Sequence, residues 1–289
     1  MRYENDYLQV EKWFKTIDGN ALFCSGSYGD LFLGIDASIK NNLSLIYWSK
    51  KSTEKISQKI IDSFNIKSHI IKTGIEIWKN QETHEFISKL KSLLSGKAFR
   101  THNNNNLNLP FVKWQPNKKC NEYDSFKDYK IDLPEKYILI CPAGSASGFK
   151  MKRHFSNDEI DNLLKILKEH KKEPILVGND LQLRKYDRMK KTKWLQFEKF
   201  NGKDITIKHF LQAVRGSEFV ISPDTSLKTI SAIMHVTTYV LKNRNQYGEP
   251  TEGIWDDVFL NEKKWTSMSC LTYDQIIKKI KEKKIIKII

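Results

Sequence analysis

Apolar positions along this chain switch repeatedly between short continuous runs and a spacing of three and four residues. The runs fall at 21–25 (ALFCS), 43–48 (LSLIYW), 69–71, 137–141 (YILIC), 174–177, 218–222 (EFVIS) and 237–241 (TTYVL), each of a length that suits a buried strand. Between them, residues 30–40, 52–64, 82–94, 156–170, 207–214 and 226–234 carry one apolar face at helical spacing, and an amphipathic stretch at 7–17 precedes the first run. Ser156 and Glu159 form a Ser-x-x-Glu capping box at the start of their helix. Strands that alternate with helices demand crossover connections and a mostly parallel sheet covered on both faces. The rhythm breaks at 101–132, which is rich in Asn, Pro and Lys, and then resumes. The pattern predicts an α/β protein of two Rossmann-like lobes facing each other across a cleft, with ligands at the carboxyl ends of the strands. The expected divisions are an N-terminal acceptor-binding lobe at 1–132, a C-terminal lobe at 133–262 that binds the nucleotide, and a basic C-terminal helix at 263–289.

Length and charge refine this picture. The 289 residues suffice for two cores, and 39% apolar content is neither that of a membrane protein nor that of a disordered chain. No apolar run reaches the roughly 18 to 20 residues of a bilayer span, and the opening MRYENDYLQV has no leader pattern, so a cytoplasmic address is expected. The net charge of +15 implies attraction to polyanions: nucleic acid, anionic lipid headgroups, phosphorylated glycans or nucleoside diphosphates. A solvated lysine face explains many of these residues equally well. The densest basic stretches are 184–193 (RKYDRMKKTK) and 278–287 (KKIKEKKIIK). In the tail, Ile276, Ile277 and Ile280 share a helical face, which suits packing on a lobe or peripheral contact with the inner membrane face. Cys24, Cys120, Cys141 and Cys270 lie far apart with no C-x-x-C pair; they read as reduced thiols, without a metal or catalytic role.

Three turns between a strand and a helix carry candidate chemistry. In the first, Ser25-Gly26-Ser27-Tyr28-Gly29-Asp30, the glycines permit a tight turn and the helix start offers amide donors. Asp30 is a candidate catalytic carboxylate or simply the helix N-cap. The second, residues 142–155 (PAGSASGFKMKRHF), combines small residues that allow close approach, Gly144 and Ser145 among them, with the cations Lys150, Lys152 and Arg153, which suit a diphosphate; a solvated basic loop is the plain alternative. The third, Ser222-Pro223-Asp224-Thr225-Ser226-Leu227, again presents amides to an anion, with Asp224 either orienting a hydroxyl or capping the helix. Neither a G-x-G-x-x-G fingerprint nor a P-loop is present.

These turns, in this order, resemble glycosyltransferase family 9, the heptosyltransferase-like enzymes of the GT-B fold. The matching residues are Gly29-Asp30-Leu31, then Arg153-His154-Phe155-Ser156 in place of the family's Lys-x-Trp-Pro, then Asp224-Thr225-Ser226-Leu227 in place of its Asp-Thr-Gly-Leu. Ser226 replaces the family's glycine, and Thr229 stands where a histidine is usual; these departures bear on donor identity. The resemblance implies inverting transfer of a sugar from a nucleoside-diphosphate-sugar co-substrate, with no metal and no other cofactor. It makes Asp30 the general base, with Ser27, Tyr28 and Gly29 beside the acceptor. Gly144, Ser145, Lys152, Arg153, Asp224, Thr225, Ser226 and Leu227 become the donor-binding set. It further implies an anionic glycan acceptor such as lipopolysaccharide core. A chain of this charge also fits transfer to a hydroxylated base in DNA, reached by base flipping, and a non-catalytic nucleotide-sugar-binding protein is the reading from another class. No obligate protein partner is expected.

Overall fold

The computed structural model describes residues 3–17, 20–49, 54–72, 81–100, 107, 109–112, 120–144, 154–179, 183, 192–244 and 267–282. The chain forms two compact units, Met1–Cys120 and Asn121–Ile289.

In the first unit the elements are α1 (Glu4–Phe14), β1 (Ala21–Gly26), α2 (Tyr28–Asn41), β2 (Ser44–Ser49), α3 (Glu54–Asp62), β3 (Ser68–Ile71), α4 (Gln81–Leu94) and β4 (Ala98–Arg100). The sheet has the order β3-β2-β1-β4, and every pairing is parallel, as the run-and-helix alternation predicts. Residues 21–24 of β1 are buried in succession because helices cover both faces. On one face Phe23, Ile46, Trp48 and Ile71 pack against Val10, Phe14, Phe86, Leu90 and Leu94 of α1 and α4. The Trp48 and Phe86 rings meet edge to face at 5.2 Å. On the other face α2 lies close to the sheet because it carries Gly34, where a Cβ would stand 3.0 Å from Cys24 Cβ and 3.2 Å from Leu45 Cδ1.

The second unit opens with a 3-10 helix (Asn121–Phe126). It continues with β5 (Tyr137–Ile140), α5 (Asn157–Glu169), β6 (Glu173–Val177), β7 (Trp194–Leu195), β8 (Lys199–Phe200), β9 (Lys203–Asp204) and α6 (Ile207–Gly216). It ends with β10 (Val220–Ser222), α7 (Ser226–Ile233), β11 (Thr238–Leu241), β12 (Met268–Leu271) and α8 (Tyr273–Lys281). The sheet order is β12-β11-β10-β5-β6-β7-β8-β9. From β12 to β7 all pairings are parallel and follow the doubly wound order of a dinucleotide-binding domain, reversing between β5 and β10. The sequence pattern did not anticipate β12 or the antiparallel ribbon β8–β9. That ribbon turns at Asn201 and Gly202, with φ of 48° and 86°, the Asn-Gly pair that two-residue hairpins favour.

Two helix starts and the packing of the tail helix refine the expectations. Helix α2 begins at Tyr28, two residues earlier than the apolar spacing indicates, because Ser27 is its N-cap. Helix α5 begins where its capping box predicts: Glu159 N donates to Ser156 Oγ (3.2 Å) and Ser156 N to Glu159 Oε2 (2.8 Å). In the tail, Ile276, Ile277 and Ile280 are buried in the core formed by α5 and the sheet, so α8 packs on its own lobe. Residues 283–289, with the last lysines of the tail, lie outside the described residues. Among the described residues no helix is long and apolar enough to cross a membrane.

Candidate active site

In the first unit the turn after β1 gathers Ser27, Tyr28, Gly29 and Asp30 at the carboxyl edge of the sheet, next to the point where the strand order reverses. Asp30 is not the N-cap that the sequence suggested as its alternative role. It is the third helical residue, and its carboxylate folds back so that Oδ2 accepts from Ser27 N (2.6 Å) and Ser27 Oγ (2.9 Å). The backbone allows this only because residue 26 is glycine. Its φ is +131°, and a Cβ there would stand 2.2 Å from Asp30 Oδ2. Below the turn, Cys24 Sγ donates to the Asp30 carbonyl at 2.9 Å. Tyr47, from β2 and fully buried, donates its hydroxyl to the Gly26 carbonyl at 2.9 Å, with the Ser27 carbonyl at 3.3 Å. Burial holds the Tyr47 phenol far above its usual value, so the hydroxyl remains a donor.

In the second unit the turns after β5 and β10 leave adjacent parallel strands at the switch point. Cys141 N donates to the Ile221 carbonyl at 2.9 Å, and Phe155 N to the Pro142 carbonyl at 3.0 Å. Together with a bridge between Ala143 and His154, these bonds close the base of the 142–155 loop. Gly144 sits at the rim of this loop. Ser145, Lys150, Lys152 and Arg153 lie outside the described residues. Phe155 is buried in the core against Tyr273, so this aromatic position of the second motif anchors the loop.

The turn after β10 is tied from below. Ser222 Oγ donates to the Pro223 carbonyl at 2.8 Å and lies 2.7 Å from Thr225 Oγ1. Beneath both, burial pushes the Cys141 thiol up to about 11, against the opposing effect of hydrogen bonds with Thr225, Ala143 and Ser222. Thr225 is the N-cap of α7, yet its side chain makes no capping bond to the helix amides, having turned towards Ser222. The N-cap position belongs to Thr225 and not to Asp224, which pairs with Lys228, a lysine whose side chain is only 5% exposed. Lys228, Tyr47 and Arg244 were not anticipated. Arg244, beyond β11, makes two bonds to Glu159, of 3.0 and 2.8 Å. Burial tends to raise the Glu159 carboxyl, but Arg244 and Ser156 outweigh it and hold the group below its ordinary value. Of these three residues only Lys228 had a local signal, its four-residue spacing from Asp224. Among the described residues no three of His, Cys, Asp or Glu converge as metal ligands would.

No family model matches the sequence, and no curated protein matches it either. Solved structures do. Escherichia coli heptosyltransferase WaaC with ADP is similar over 92% of this chain and 99% of its own, at 12% identity and a TM-score of 0.58. The same enzyme with ADP-2-deoxy-2-fluoro heptose gives a TM-score of 0.57 at the same identity and coverage. E. coli ADP-heptose lps heptosyltransferase II is similar over 91% of this chain and 98% of its own, at 8% identity and a TM-score of 0.52. At such identities the likeness concerns architecture: the chain has the two Rossmann-like lobes of a heptosyltransferase, the GT-B type of fold.

Proposed function

We propose that this chain is a glycosyltransferase that moves a sugar from a nucleoside-diphosphate-sugar donor to an acceptor hydroxyl with inversion, needing no metal or other cofactor. The observation that carries this reading is the α7 turn: a helix N-terminus at a topological switch point, its N-cap side chain turned away, in a fold shared along its length with heptosyltransferases. The two WaaC structures hold ADP or an ADP-heptose analogue, which favours a nucleotide sugar here as well.

Asp30 takes the proton of the acceptor hydroxyl as that oxygen forms its bond to the anomeric carbon. The bond from the anomeric carbon to the diphosphate oxygen breaks, and the departing diphosphate gathers negative charge. The amides of Thr225, Ser226 and Leu227 stabilise it, together with the cations Lys152 and Arg153, while Gly144 and Ser145 permit its close approach. The Asp224–Lys228 pair serves the same end, since a neutralised Asp224 does not repel the diphosphate. Ser27, Tyr28 and Gly29 flank the acceptor. An anionic glycan such as lipopolysaccharide core suits the net charge of +15, and such an acceptor brings the protein to the cytoplasmic membrane surface.

The test is Asp30→Asn. With ADP-heptose as donor probe and deacylated lipopolysaccharide core as acceptor, transfer falls by at least ~10²-fold, while the thermal shift produced by ADP persists. A variant that transfers at the wild-type rate ends the proposal. The same charge favours a second reading, a hydroxylated base in DNA as acceptor. That reading requires salt-sensitive binding to a duplex carrying 5-hydroxymethylcytosine, and indifference to the duplex at low salt dismisses it.

A further inference from the structure

We propose that Tyr47 is a positioning residue, whose buried hydroxyl clamps the turn that presents the Asp30 carboxylate. The inference rests on the reading of Asp30 as the base and extends it to a residue that touches neither substrate.

Tyr47 belongs to β2, where an apolar side chain would fill the same space. A buried phenol requires a hydrogen-bond partner, whereas a phenylalanine would not. The hydroxyl finds its partners in the two carbonyls at the bend, Gly26 O at 2.9 Å and Ser27 O at 3.3 Å. Those two residues also shape the carboxylate. Gly26 leaves the space that Asp30 Oδ2 occupies, and Ser27 donates to that same oxygen from its amide and its hydroxyl. One donor on β2 therefore holds the Gly26 carbonyl, with the Ser27 carbonyl sharing it at longer range, and these two residues in turn hold one carboxylate oxygen. Cys24 Sγ secures the same segment from β1 through the Asp30 carbonyl at 2.9 Å. Misplacing a reacting group by about an ångström costs on the order of 100-fold in rate, so removing the clamp should be visible in turnover.

The experiment pairs Tyr47→Phe with Gly26→Ala, each measured in two ways at a temperature well below unfolding. Hydrogen exchange of the Ser27 amide, resolved by NMR, reports the clamp without any substrate. Turnover with ADP-heptose and lipopolysaccharide core reports its effect on chemistry. For Tyr47→Phe the expected result is Ser27 exchange at least ~10-fold faster, with kcat lower by ~10- to 100-fold and KM for the donor unchanged. A merely structural loss would lower the melting temperature and leave kcat of the folded fraction intact. Gly26→Ala keeps the tyrosine but ejects the carboxylate, so it should match the kcat loss if Tyr47→Phe folds poorly. Wild-type Ser27 exchange together with wild-type kcat in Tyr47→Phe overturns the proposal. Asp30→Asn, run in parallel, separates the two ideas. If it retains full transfer, the base assignment fails; if it is inactive while Tyr47→Phe matches wild type, only the clamp fails.

Discussion

Lys40→Met tests whether the helix that carries Asp30 depends on a buried ion pair. Lys40 Nζ lies 2.8 Å from Asp36 Oδ2 one turn earlier on α2, with side chains 4% and 0% exposed. The same spacing on α1, Lys15 with Glu11, is largely solvated at 70% and 31% exposure and is worth only about 0.3–0.5 kcal/mol. The buried pair behaves differently. Methionine keeps the length of the lysine stem and removes the charge, which leaves the Asp36 carboxylate without its neighbouring cation in a site closed to water. Breaking a buried pair from one side costs about 3–5 kcal/mol, against total stabilities of about 5–15 kcal/mol for a domain. At roughly 4 °C per kcal/mol for a unit of this size, the first unit should melt about 12–20 °C lower. Urea unfolding followed by circular dichroism gives the free energy directly. The double variant Asp36→Leu/Lys40→Met should recover most of the loss, since it also removes the buried carboxylate that has lost Lys40. A loss below about 1 kcal/mol in Lys40→Met, or a double variant worse than the sum of its singles, would refute the reasoning.

Gly34→Ala sets a helix-propensity gain of about 1 kcal/mol against a Cβ 3.0 Å from Cys24 Cβ and 3.2 Å from Leu45 Cδ1. Overpacking of about 1–3 kcal/mol should win, giving a lower midpoint in thermal unfolding. Thiol titration of the native protein with a disulfide reagent should show at most two fast cysteines, Cys120 and Cys270, because Cys24 and Cys141 are buried and the Cys141 thiol is raised to about 11. Glu159 is held below the ordinary carboxyl value of 4.5, so the unfolded chain binds its proton first as pH falls. Its contribution is complete above 4.5 and is lost as pH drops through the lowered folded value. Arg244→Gln should therefore flatten the acid limb of stability measured by urea titration between pH 3 and 6.

Much of the fold was legible because burial on both faces writes strands as continuous apolar runs, and capping residues mark helix starts. Residues 21–25, 137–141 and 237–241 read as strands for that reason, and Ser156 with Glu159 marked α5. Short elements escaped. β8 and β9 have two residues each, too few for any period, although Asn201-Gly202 was a local signal in plain view. At the candidate site, the turn holding Asp30 was legible from its glycines, but its geometry was not. A carboxylate at the third helical position and one at the N-cap look alike until the backbone is traced. Tyr47 was hidden because its ring satisfies the apolar pattern of β2, and only a contact 21 residues away reveals its hydroxyl. Arg244 and Glu159 are 85 residues apart, and no local rule joins them.

The β8–β9 ribbon has a consequence for how copies of this protein meet in concentrated solution. It closes one side of the larger sheet with a two-residue strand, Lys203–Asp204, both members exposed and charged. A foreign strand seeking main-chain partners there would find only two residues of template, and it would have to strip water from an ammonium and a carboxylate to use them. Deleting the ribbon would bare β7, Trp194–Leu195, a strand of the same length whose side chains carry no charge, and the first symptom would be self-association.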